Sequence, residues 1–339
     1  MFDKRCCRLV WGLILLGVVG FMIWRLSGCP GPPRTAQLPV LNYLPLVPSN
    51  ATTAPAPYQI QILPPDDLST LINLKEFSFL SKYSCNATPL VAVIVHSAPN
   101  NIYHRRMIRS TWGNALDIVF MVGETNSSSI QNQLEEEMKE HSDIVQGTFI
   151  DSYRNMTYKH VMGLKWATYH CPGARYILKT DDDVFVNTPF LQAFLNSQVS
   201  PLGARRLLLC NVMDRTIVKR SYRSKWRVTP AEYSGRWYPK YCTGWAVLYS
   251  PDVAFTLYAE AQKSKYFWID DVHITGTLVA KTNITHTTLG SLAILEEFTK
   301  NLVYSGQTKS DFLFSLTSPK YFKYLWDMVN HPLVPQQKR

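Results

Sequence analysis

The sequence predicts one α/β domain with a mostly parallel sheet flanked by helices, preceded by an N-terminal transmembrane helix and a stem. Three observations support this class. Short apolar runs alternate with helical stretches, one longer apolar run lies near the N-terminus, and a proline-rich segment separates the two. A chain of 339 residues that is 46% hydrophobic can bury one sizeable core.

The N-terminal apolar run covers residues 9–24 and contains no charged side chain. It is somewhat shorter than the ~20 residues that usually span a bilayer, which suits a thin early-secretory membrane. Lys4, Arg5 and Arg8 precede it, so the positive-inside rule places the N-terminus in the cytosol and the remainder in the lumen. A cleaved signal peptide is the alternative, but no clear small-residue cleavage site follows the run.

A proline-rich segment follows, because residues 28–66 hold ten of the 21 prolines. Such a composition is typical of an extended stem, and the folded domain is expected to begin near residue 85. The predicted organisation is a cytosolic tail at 1–8, a transmembrane signal anchor at 9–26, a lumenal stem at 27–84 and a lumenal domain at 85–339.

Cysteines and glycosylation sequons both suit the lumen. The domain has enough cysteines for two disulfides in an oxidising compartment, and three pairings are open. These cysteines are Cys85, Cys171, Cys210 and Cys242. The five N-glycosylation sequons are at Asn50, Asn86, Asn126, Asn155 and Asn283. The net charge of +10 comes from dispersed basic residues without a nucleic-acid-binding signature, so we expect no nucleic-acid partner.

The elements of the domain follow from its apolar runs in chain order. Strands are expected at 89–95, 117–122, 143–150 and 176–178, and helices at 130–141 and 157–169. This alternation predicts parallel strands with helices on both faces of the sheet. Ligands of such sheets bind at the carboxyl ends of the strands.

Three aspartates stand where the fourth strand ends. Asp181, Asp182 and Asp183 lie between apolar residues, where adjacent carboxylates are costly unless a cation neutralises them. A hard divalent metal with oxygen ligands would do so. In an extended backbone Asp181 and Asp183 face the same way and can share one metal, which leaves Asp182 for a sugar hydroxyl or a backbone N–H. The alternative is a solvated acidic turn.

A second acidic pair, Asp270 and Asp271, follows an aromatic stretch at 266–268. A water-poor aromatic wall raises the pKa of a carboxylate and suits it to base catalysis. The alternative is a helix N-cap, and one aspartate can cap while the other acts as a base.

Two further groups are candidate ligand contacts. Arg105 or Arg106 shares a helix face with Arg109 near the end of the first strand, where guanidinium groups suit a diphosphate or uracil. An exposed basic helix is the alternative. The stretch 232–249 is rich in aromatic residues that suit sugars, with core packing as the alternative. Its candidate acceptor contacts are Trp237, Tyr238, Tyr241 and Trp245, with Asp270 added from the second acidic pair.

Five stretches resemble, in order, the β-1,3-galactosyltransferase/β-1,3-N-acetylglucosaminyltransferase family, which is related to the Fringe proteins. They are RRMIRSTWG (105–113), FIDSYRNMTYKHVMGLKWATYHCP (149–172), YILKTDDDVFVN (176–187), RWYPKYCTGWAVLYSPDVA (236–254) and IDDV (269–272). The resemblance implies a GT-A fold, Mn²⁺, a UDP-sugar donor and inversion, on a single-pass type II Golgi membrane protein. The acceptor would be a glycan on a glycolipid or glycoprotein. Galactose is the expected sugar; UDP-GlcNAc or UDP-GalNAc, or a catalytically silent carbohydrate-binding relative, are the alternatives.

The resemblance also assigns roles to residues. It makes Asp181 and Asp183 the metal site, with Asp183 the direct ligand, and Asp271 the catalytic base. It places the nucleotide beside Arg105 and Arg109. Asp182 and Lys159 are further candidate contacts of the UDP-sugar.

Two positions depart from the family pattern. Ser315 stands where a further metal-binding histidine is expected, which leaves His286 as a substitute candidate. A cysteine is missing near Thr277, so Cys242 is expected to have a different partner or none.

Overall fold

A computed structural model of the chain describes residues 58–330 apart from 82, 86 and 87. The predicted tail and anchor, most of the predicted stem, and the sequons at Asn50 and Asn86 lie outside the described residues. Within this described part, no helix has the length and apolar character needed to cross a membrane.

The described residues contain ten strands in two sheets. They are β1 (Val91–His96), β2 (Asp117–Glu124), β3 (Ile144–Ile150), β4 (Tyr176–Asp181), β5 (Val184–Val186), β6 (Leu208–Met213), β7 (Tyr241–Tyr249), β8 (Thr287–Thr288), β9 (Ala293–Ile294) and β10 (Phe314–Leu316). The large sheet has the order β3-β2-β1-β4-β7-β6-β8, and the small one has the order β5-β10-β9.

Eight α-helices accompany the sheets in the same part of the chain. They are α1 (Ile102–Arg109), α2 (Ser128–His141), α3 (Met156–His170), α4 (Thr188–Phe194), α5 (Pro251–Gln262), α6 (Asp270–Val272), α7 (Glu296–Ser305) and α8 (Phe322–Asn330). Helix α6 continues directly into a π-helix at His273–Leu278.

The predicted α/β class with a mostly parallel sheet is confirmed. Strand β1 pairs in parallel with β2 and β4, and β2 pairs in parallel with β3. All four predicted strands and both predicted helices are present. The sequence did not predict that β7 runs antiparallel between β4 and β6.

Alternate residues of β1 face two different core layers. Val93 and Val95 pack with the small sheet and α8 on one face, whereas Ala92 and Ile94 pack with α3 and α5 on the other. All four side chains are buried, as expected for a central strand covered on both faces.

Two disulfides are formed in the described residues, and they resolve the pairing that the sequence left open. Cys85 pairs with Cys171, and Cys210 pairs with Cys242. The second bridge links the neighbouring strands β6 and β7. Cys242 therefore has a partner, although the cysteine expected near Thr277 is missing.

The sequons inside the described region differ in accessibility. Asn126 and Asn283 are exposed. Asn155 is half-buried, and its side-chain amide donates a hydrogen bond of 2.8 Å to the carbonyl of Ile150. Its sequon threonine, Thr157, is buried and donates to the carbonyl of Phe267. Asn126 and Asn283 are thus better placed for a glycan than Asn155.

Residues within the predicted stem pack against the domain. Leu71 and Phe77 are buried in the core layer that contains α3 and α5. Apolar side chains in a stem would remain in water, whereas these two gain the free energy of burial against the domain.

Asp67 fastens this early segment to the domain. It is 2% exposed and accepts hydrogen bonds from the hydroxyls of Tyr169 and Tyr258 and from the Gln262 amide. Its carboxylate also lies 4.0 Å from the buried ammonium of Lys165. The carboxylate therefore joins α3 and α5 to residues that precede the sheet.

Replacing Asp67 by alanine should destabilise the fold by about 3 kcal/mol, since Lys165 would lose its buried counter-charge and three donors would lose their acceptor. Urea unfolding monitored by tryptophan fluorescence measures this change in the free energy of unfolding. Asp66→Ala is the matched control, because Asp66 is exposed. Equal stability of the two variants would show that Asp67 does not anchor the segment.

Candidate active site

The acidic triplet lies at the carboxyl edge of the parallel strands. Asp181 ends β4 and pairs in register with His96, which ends β1. Strand β5 starts directly after Asp183. The chain therefore turns at the triplet, next to the ends of two central strands, where the fold class places ligands.

A cavity of about 560 Å³ opens at this edge. Its walls come from the triplet, the start of β7, the acidic pair at the start of α6 and the loop between β6 and β7. The cavity is lined mainly by charged and aromatic residues. They include Tyr153, Lys179, Asp181, Asp183, Lys219, Lys225, Trp226, Tyr238, Tyr241, Trp245, Trp268, Asp270 and Asp271.

The three aspartates of the triplet divide between two environments. Asp181 and Asp183 both line the cavity. Asp182 is buried on another side, where it accepts hydrogen bonds from Ser97 (2.7 Å) and Asn101 (2.9 Å) and contacts His104 (3.0 Å). Neighbouring side chains of an extended chain point to opposite sides, so the sequence predicts that Asp182 faces away from Asp181 and Asp183. Asp182, a predicted UDP-sugar contact, is not among the cavity-lining residues and contacts the loop after β1 and helix α1.

The two cavity-lining carboxylates carry more negative charge than the ammonium of Lys179 offsets. Burial, together with the charges of Asp181 and Asp182, raises the pKa of Asp183 to about 6. The pKa of Asp181 is raised by burial, although the ammonium of Lys179 lies 2.6 Å away. In the described part of the chain, the Asp183 carboxylate accepts no side-chain hydrogen bond. Two desolvated carboxylates of this kind fit a hard divalent cation.

Neither candidate for a further metal ligand lies in the cavity. Ser315 is fully buried, and its hydroxyl is bonded to that of Thr299 at 2.6 Å. His286 directs Nε2 at the carbonyl of Thr275, 2.6 Å away. No group of three or more His, Cys, Asp or Glu side chains close enough to hold a metal occurs in the described residues. Of the predicted metal ligands and their substitutes in the described residues, Asp181 and Asp183 line the cavity, whereas Ser315 and His286 do not.

Asp270 is held as a fixed anion by a hydrogen-bonded chain. Its carboxylate lies 2.9 Å from Nδ1 of His160, and Nε2 of His160 lies 3.0 Å from the hydroxyl of Tyr249. Burial lowers the pKa of His160 and raises that of Tyr249, so the tyrosine donates to a neutral imidazole, which donates to Asp270. Burial opposes ionisation of Asp270, but the His160 hydrogen bond and the charge of Lys179 outweigh it and lower its pKa.

The pKa of Asp271 is shifted in the opposite direction to that of Asp270. Burial, followed by the negative charge of Asp270, raises its pKa, while the backbone N–H of Val272 donates to it at 2.9 Å. Both carboxylates line the cavity. The acidic pair thus combines one permanently charged group with one that can take up a proton near neutral pH.

Lys179 connects the two acidic sites, and the sequence reasoning missed it. Its ammonium donates to Asp181 and to the carbonyl of Gly244. Burial lowers its pKa, but the charges of Asp181 and Asp270 more than compensate, so the pKa is raised and the lysine stays protonated. A lysine inside the otherwise apolar start of β4 was the signal that could have revealed it.

Arg105, a predicted donor contact, is buried and hydrogen-bonded within the protein. Its side chain is 0% exposed, and all five N–H groups donate within the protein. Two of these bonds go to Glu137, at 2.9 and 2.6 Å. The others go to Ser97 and to the carbonyls of Ala98 and Pro99, so Arg105 holds the loop after β1.

Arg109 and Lys159, which are also predicted donor contacts, likewise have partners within the protein. Arg109 forms hydrogen-bonded ion pairs with Glu137 and Asp143, at 2.6 to 2.7 Å. Lys159 is 2% exposed and ties the carbonyl of Ser97 to the carboxylate of Asp151. Neither cation lines the cavity, and both are paired with carboxylates elsewhere in the domain.

Most of the predicted aromatic contacts are brought together at the cavity. Tyr238, Tyr241 and Trp245 line it, as does Asp270, whereas Trp237 is 45% exposed and lies outside the lining. The structure adds further aromatic residues that the sequence reasoning did not select: Tyr153, Trp226 and Trp268. Trp268 could have been found, because it stands two residues before the acidic pair.

Comparison with known proteins gives a family match over most of this region. Residues 103–290 match the family model described as Galactosyltransferase. The chain is 29% identical over 237 residues to β-1,3-galactosyltransferase 5 of Gorilla gorilla gorilla, covering 67% of this chain and 78% of the relative. It is 31% identical over 216 residues to the Homo sapiens protein of that name (61% and 68% covered). It is also 30% identical over 208 residues to Homo sapiens β-1,3-galactosyltransferase 2 (58% and 48% covered).

Solved structures give weaker overlaps. An active-site mutant of LgtC aligns with a TM-score of 0.35 at 10% identity, covering 72% of this chain and 98% of the other. The bifunctional glycosyltransferase WbbM aligns with a TM-score of 0.36 at 14% identity, covering 67% and 45%. Both scores are below 0.5, so the fold class rests on the sheet topology.

Replacing Arg105 by methionine should lower the free energy of unfolding by about 3–5 kcal/mol, because Glu137 would lose a buried partner. If the variant folds, its affinity for UDP should change little. Thermal unfolding and UDP titration measure the two effects. Arg106→Met is the control, since Arg106 is exposed on the same helix. Normal stability with a large loss of UDP affinity would restore the donor contact that the sequence suggested.

Proposed function

This chain belongs to the galactosyltransferase family, and we propose that it transfers galactose from UDP-galactose to a hydroxyl of an acceptor glycan, forming a β-1,3 linkage with inversion. One observation carries the proposal. Asp271, a carboxylate whose pKa is raised, shares a cavity with the carboxylates of Asp181 and Asp183. A proton acceptor and a cation site in one cavity are what such a transfer requires.

The proposed role of Asp181 and Asp183 is to hold Mn²⁺, with Asp183 as the direct ligand. Their buried, mutually repelling carboxylates are oxygen ligands of the kind that this ion prefers. When bound, the ion would neutralise the charge that develops on the departing diphosphate. Lys179 keeps Asp181 in place and balances part of its charge.

The proposed role of Asp271 is that of general base. The acceptor hydroxyl gives its proton to the Asp271 carboxylate as its oxygen forms a bond with the anomeric carbon. The bond from that carbon to the diphosphate oxygen breaks, and the electron pair leaves with UDP. Asp270 stays ionised beside the base and thereby keeps the proton affinity of Asp271 high.

The choice of galactose rests on the relatives, which are named β-1,3-galactosyltransferases. UDP-GlcNAc and UDP-GalNAc remain the alternative donors, since few pocket contacts decide between such sugars. Glycolipid and glycoprotein glycans are the candidate acceptors.

We place the protein in the Golgi membrane as a single-pass type II protein with a lumenal domain. The two disulfides and the exposed sequons at Asn126 and Asn283 support a lumenal location. The anchor at 9–26 is a prediction from the sequence.

A donor panel tests the proposed reaction directly. The full chain is incubated with UDP-galactose, UDP-GlcNAc or UDP-GalNAc, a glycan acceptor and Mn²⁺, and released UDP and product linkage are measured. UDP release that depends on acceptor, with a β-1,3 product from UDP-galactose, supports the proposal. Glycan binding without turnover of any donor would favour the catalytically silent relative.

Replacing Asp271 by asparagine should lower kcat by at least about 10³-fold while UDP still binds, because the amide cannot take the proton. Steady-state kinetics and UDP titration measure the two quantities. Asp214→Asn is the matched control, since Asp214 is exposed in the loop between β6 and β7. Near-normal turnover of the Asp271 variant would remove the residue from the catalytic role.

The pH dependence of kcat/KM should report the same group. Asp271 has a pKa of about 7 and is active only when ionised. The rate should therefore be level above this pH and fall about tenfold per pH unit below it. A profile that is flat between pH 5 and 8 would contradict a base of raised pKa.

Removing the metal should abolish transfer, and Mn²⁺ should restore it. Asp183→Asn should weaken Mn²⁺ binding by about tenfold or more, since one of two carboxylates is lost. Mn²⁺ titration by electron paramagnetic resonance measures this binding without turnover. Asp311→Asn, at an exposed carboxylate outside the cavity, is the control. Full activity after chelation would show that the carboxylates serve another purpose.

A further inference from the structure

Positive charge is concentrated in the loop between β6 and β7. This segment, residues 214–240, is called the basic loop. It contains eight Lys and Arg residues and two acidic residues, a net charge of +6, whereas the whole chain has +10. One loop at the rim of the cavity thus carries more than half of the net charge.

The basic loop is fixed in place by its own contacts. Arg220 donates to the carbonyls of Val228 (2.8 Å), Tyr233 (2.7 Å) and Gly235 (2.8 Å). Val218 and Val228 are buried in a small core that also contains Trp268. The loop therefore presents its other charges from a defined position, which reduces the entropy lost when a ligand binds.

Two lysines of the basic loop, Lys219 and Lys225, line the cavity. Among the ion pairs of the described residues, neither has a carboxylate partner. The ammonium of Lys225 lies 4.5 Å from the ring centre of Trp226 and 5.9 Å from that of Tyr153. The Tyr153 ring in turn lies 5.9 Å from that of Trp268, close to the acidic pair. This places Lys225 on the side of the cavity that holds Asp271.

The same wall holds two unused hydrogen-bond donors. The hydroxyl of Tyr238 and Nε1 of Trp268 are buried and, among the described residues, have no hydrogen-bond partner. Their residues are 7% and 6% exposed, and both line the cavity. Buried polar groups are normally paired, so these two are available to a ligand that supplies acceptor oxygens.

From these contacts we infer that the acceptor glycan carries an anionic group, a carboxylate or a sulfate, which Lys219 and Lys225 bind beside its reacting sugar. The inference rests on the proposed function, because it describes the acceptor of that same cavity. Anionic oxygens satisfy ammonium groups and neutral donors together. A neutral glycan would leave both lysines without a counter-charge.

The test compares three acceptors with the full chain: a neutral oligosaccharide, the same compound with a uronic acid next to its terminal sugar, and the same compound with a sulfate there. The native protein should have a KM for at least one anionic acceptor that is about tenfold below that for the neutral one, as two partly exposed charge pairs allow. Added salt should reduce this preference.

Lys219→Ala/Lys225→Ala should raise the KM for the anionic acceptor about tenfold, while the KM values for the neutral acceptor and the sugar nucleotide stay unchanged. Arg223→Ala is the matched control, because Arg223 is exposed in the same loop and lies outside the cavity lining. An equal effect on both acceptor classes would overturn the inference. A raised KM for the sugar nucleotide alone would show that the lysines bind the diphosphate, which also overturns it.

Direct binding separates this inference from the proposed reaction. Titration of the Asp271→Asn variant with the same glycans needs no turnover. Tighter binding of an anionic glycan, lost in the double lysine variant, supports the inference even if no donor is used. Transfer to the neutral acceptor without any anionic preference would overturn the inference and leave the proposed reaction intact.

Discussion

A buried lysine lies between two acidic sites, and the geometry of the cavity depends on it. Asp181, Asp270 and Asp271 all act electrostatically on Lys179, whose ammonium is buried in β4. Without a cation there, these carboxylates would repel one another in a region of low dielectric constant. The lysine also holds the carbonyl of Gly244 and so fixes the start of β7 against β4. One charge thus sets the distance between the proposed metal site and the proposed base.

The loop after β1 follows a similar rule, because two buried cations hold it. Arg105 and Lys159 both bind backbone carbonyls after β1, and each also binds a buried carboxylate, Glu137 or Asp151. Such pairs add little net stability compared with apolar packing, but they fix position, since a displaced partner would leave an unpaired charge. The edge of the sheet is therefore rigid, while its charged groups stay hydrated or paired.

The sequence predicted those features that depend on local periodicity. The strands β1 to β4 follow from short apolar runs in the sequence. The separation of Asp181 and Asp183 from Asp182 follows from the alternation of side chains along an extended chain. The roles of Arg105 and Arg109 could not be predicted, because their partner Glu137 lies 32 and 28 residues away in sequence. Spacing identifies a helix face but not the group opposite it. The antiparallel β7, and with it the position of the aromatic wall, likewise depends on pairing between distant segments.

The acidic pair shows why adjacent, chemically identical residues acquire different functions. Burial shields both Asp270 and Asp271 from solvent. Only Asp270 contacts His160, which belongs to helix α3. That contact stabilises the charge of Asp270, and this charge then opposes ionisation of Asp271. The proton affinity of the proposed base is therefore set by a hydrogen bond that the base does not make. A cavity with such a fixed anion repels a second negative charge, so an anionic acceptor needs its own cations nearby. Lys219 and Lys225 supply them from the basic loop, which also contributes Tyr238 to the cavity.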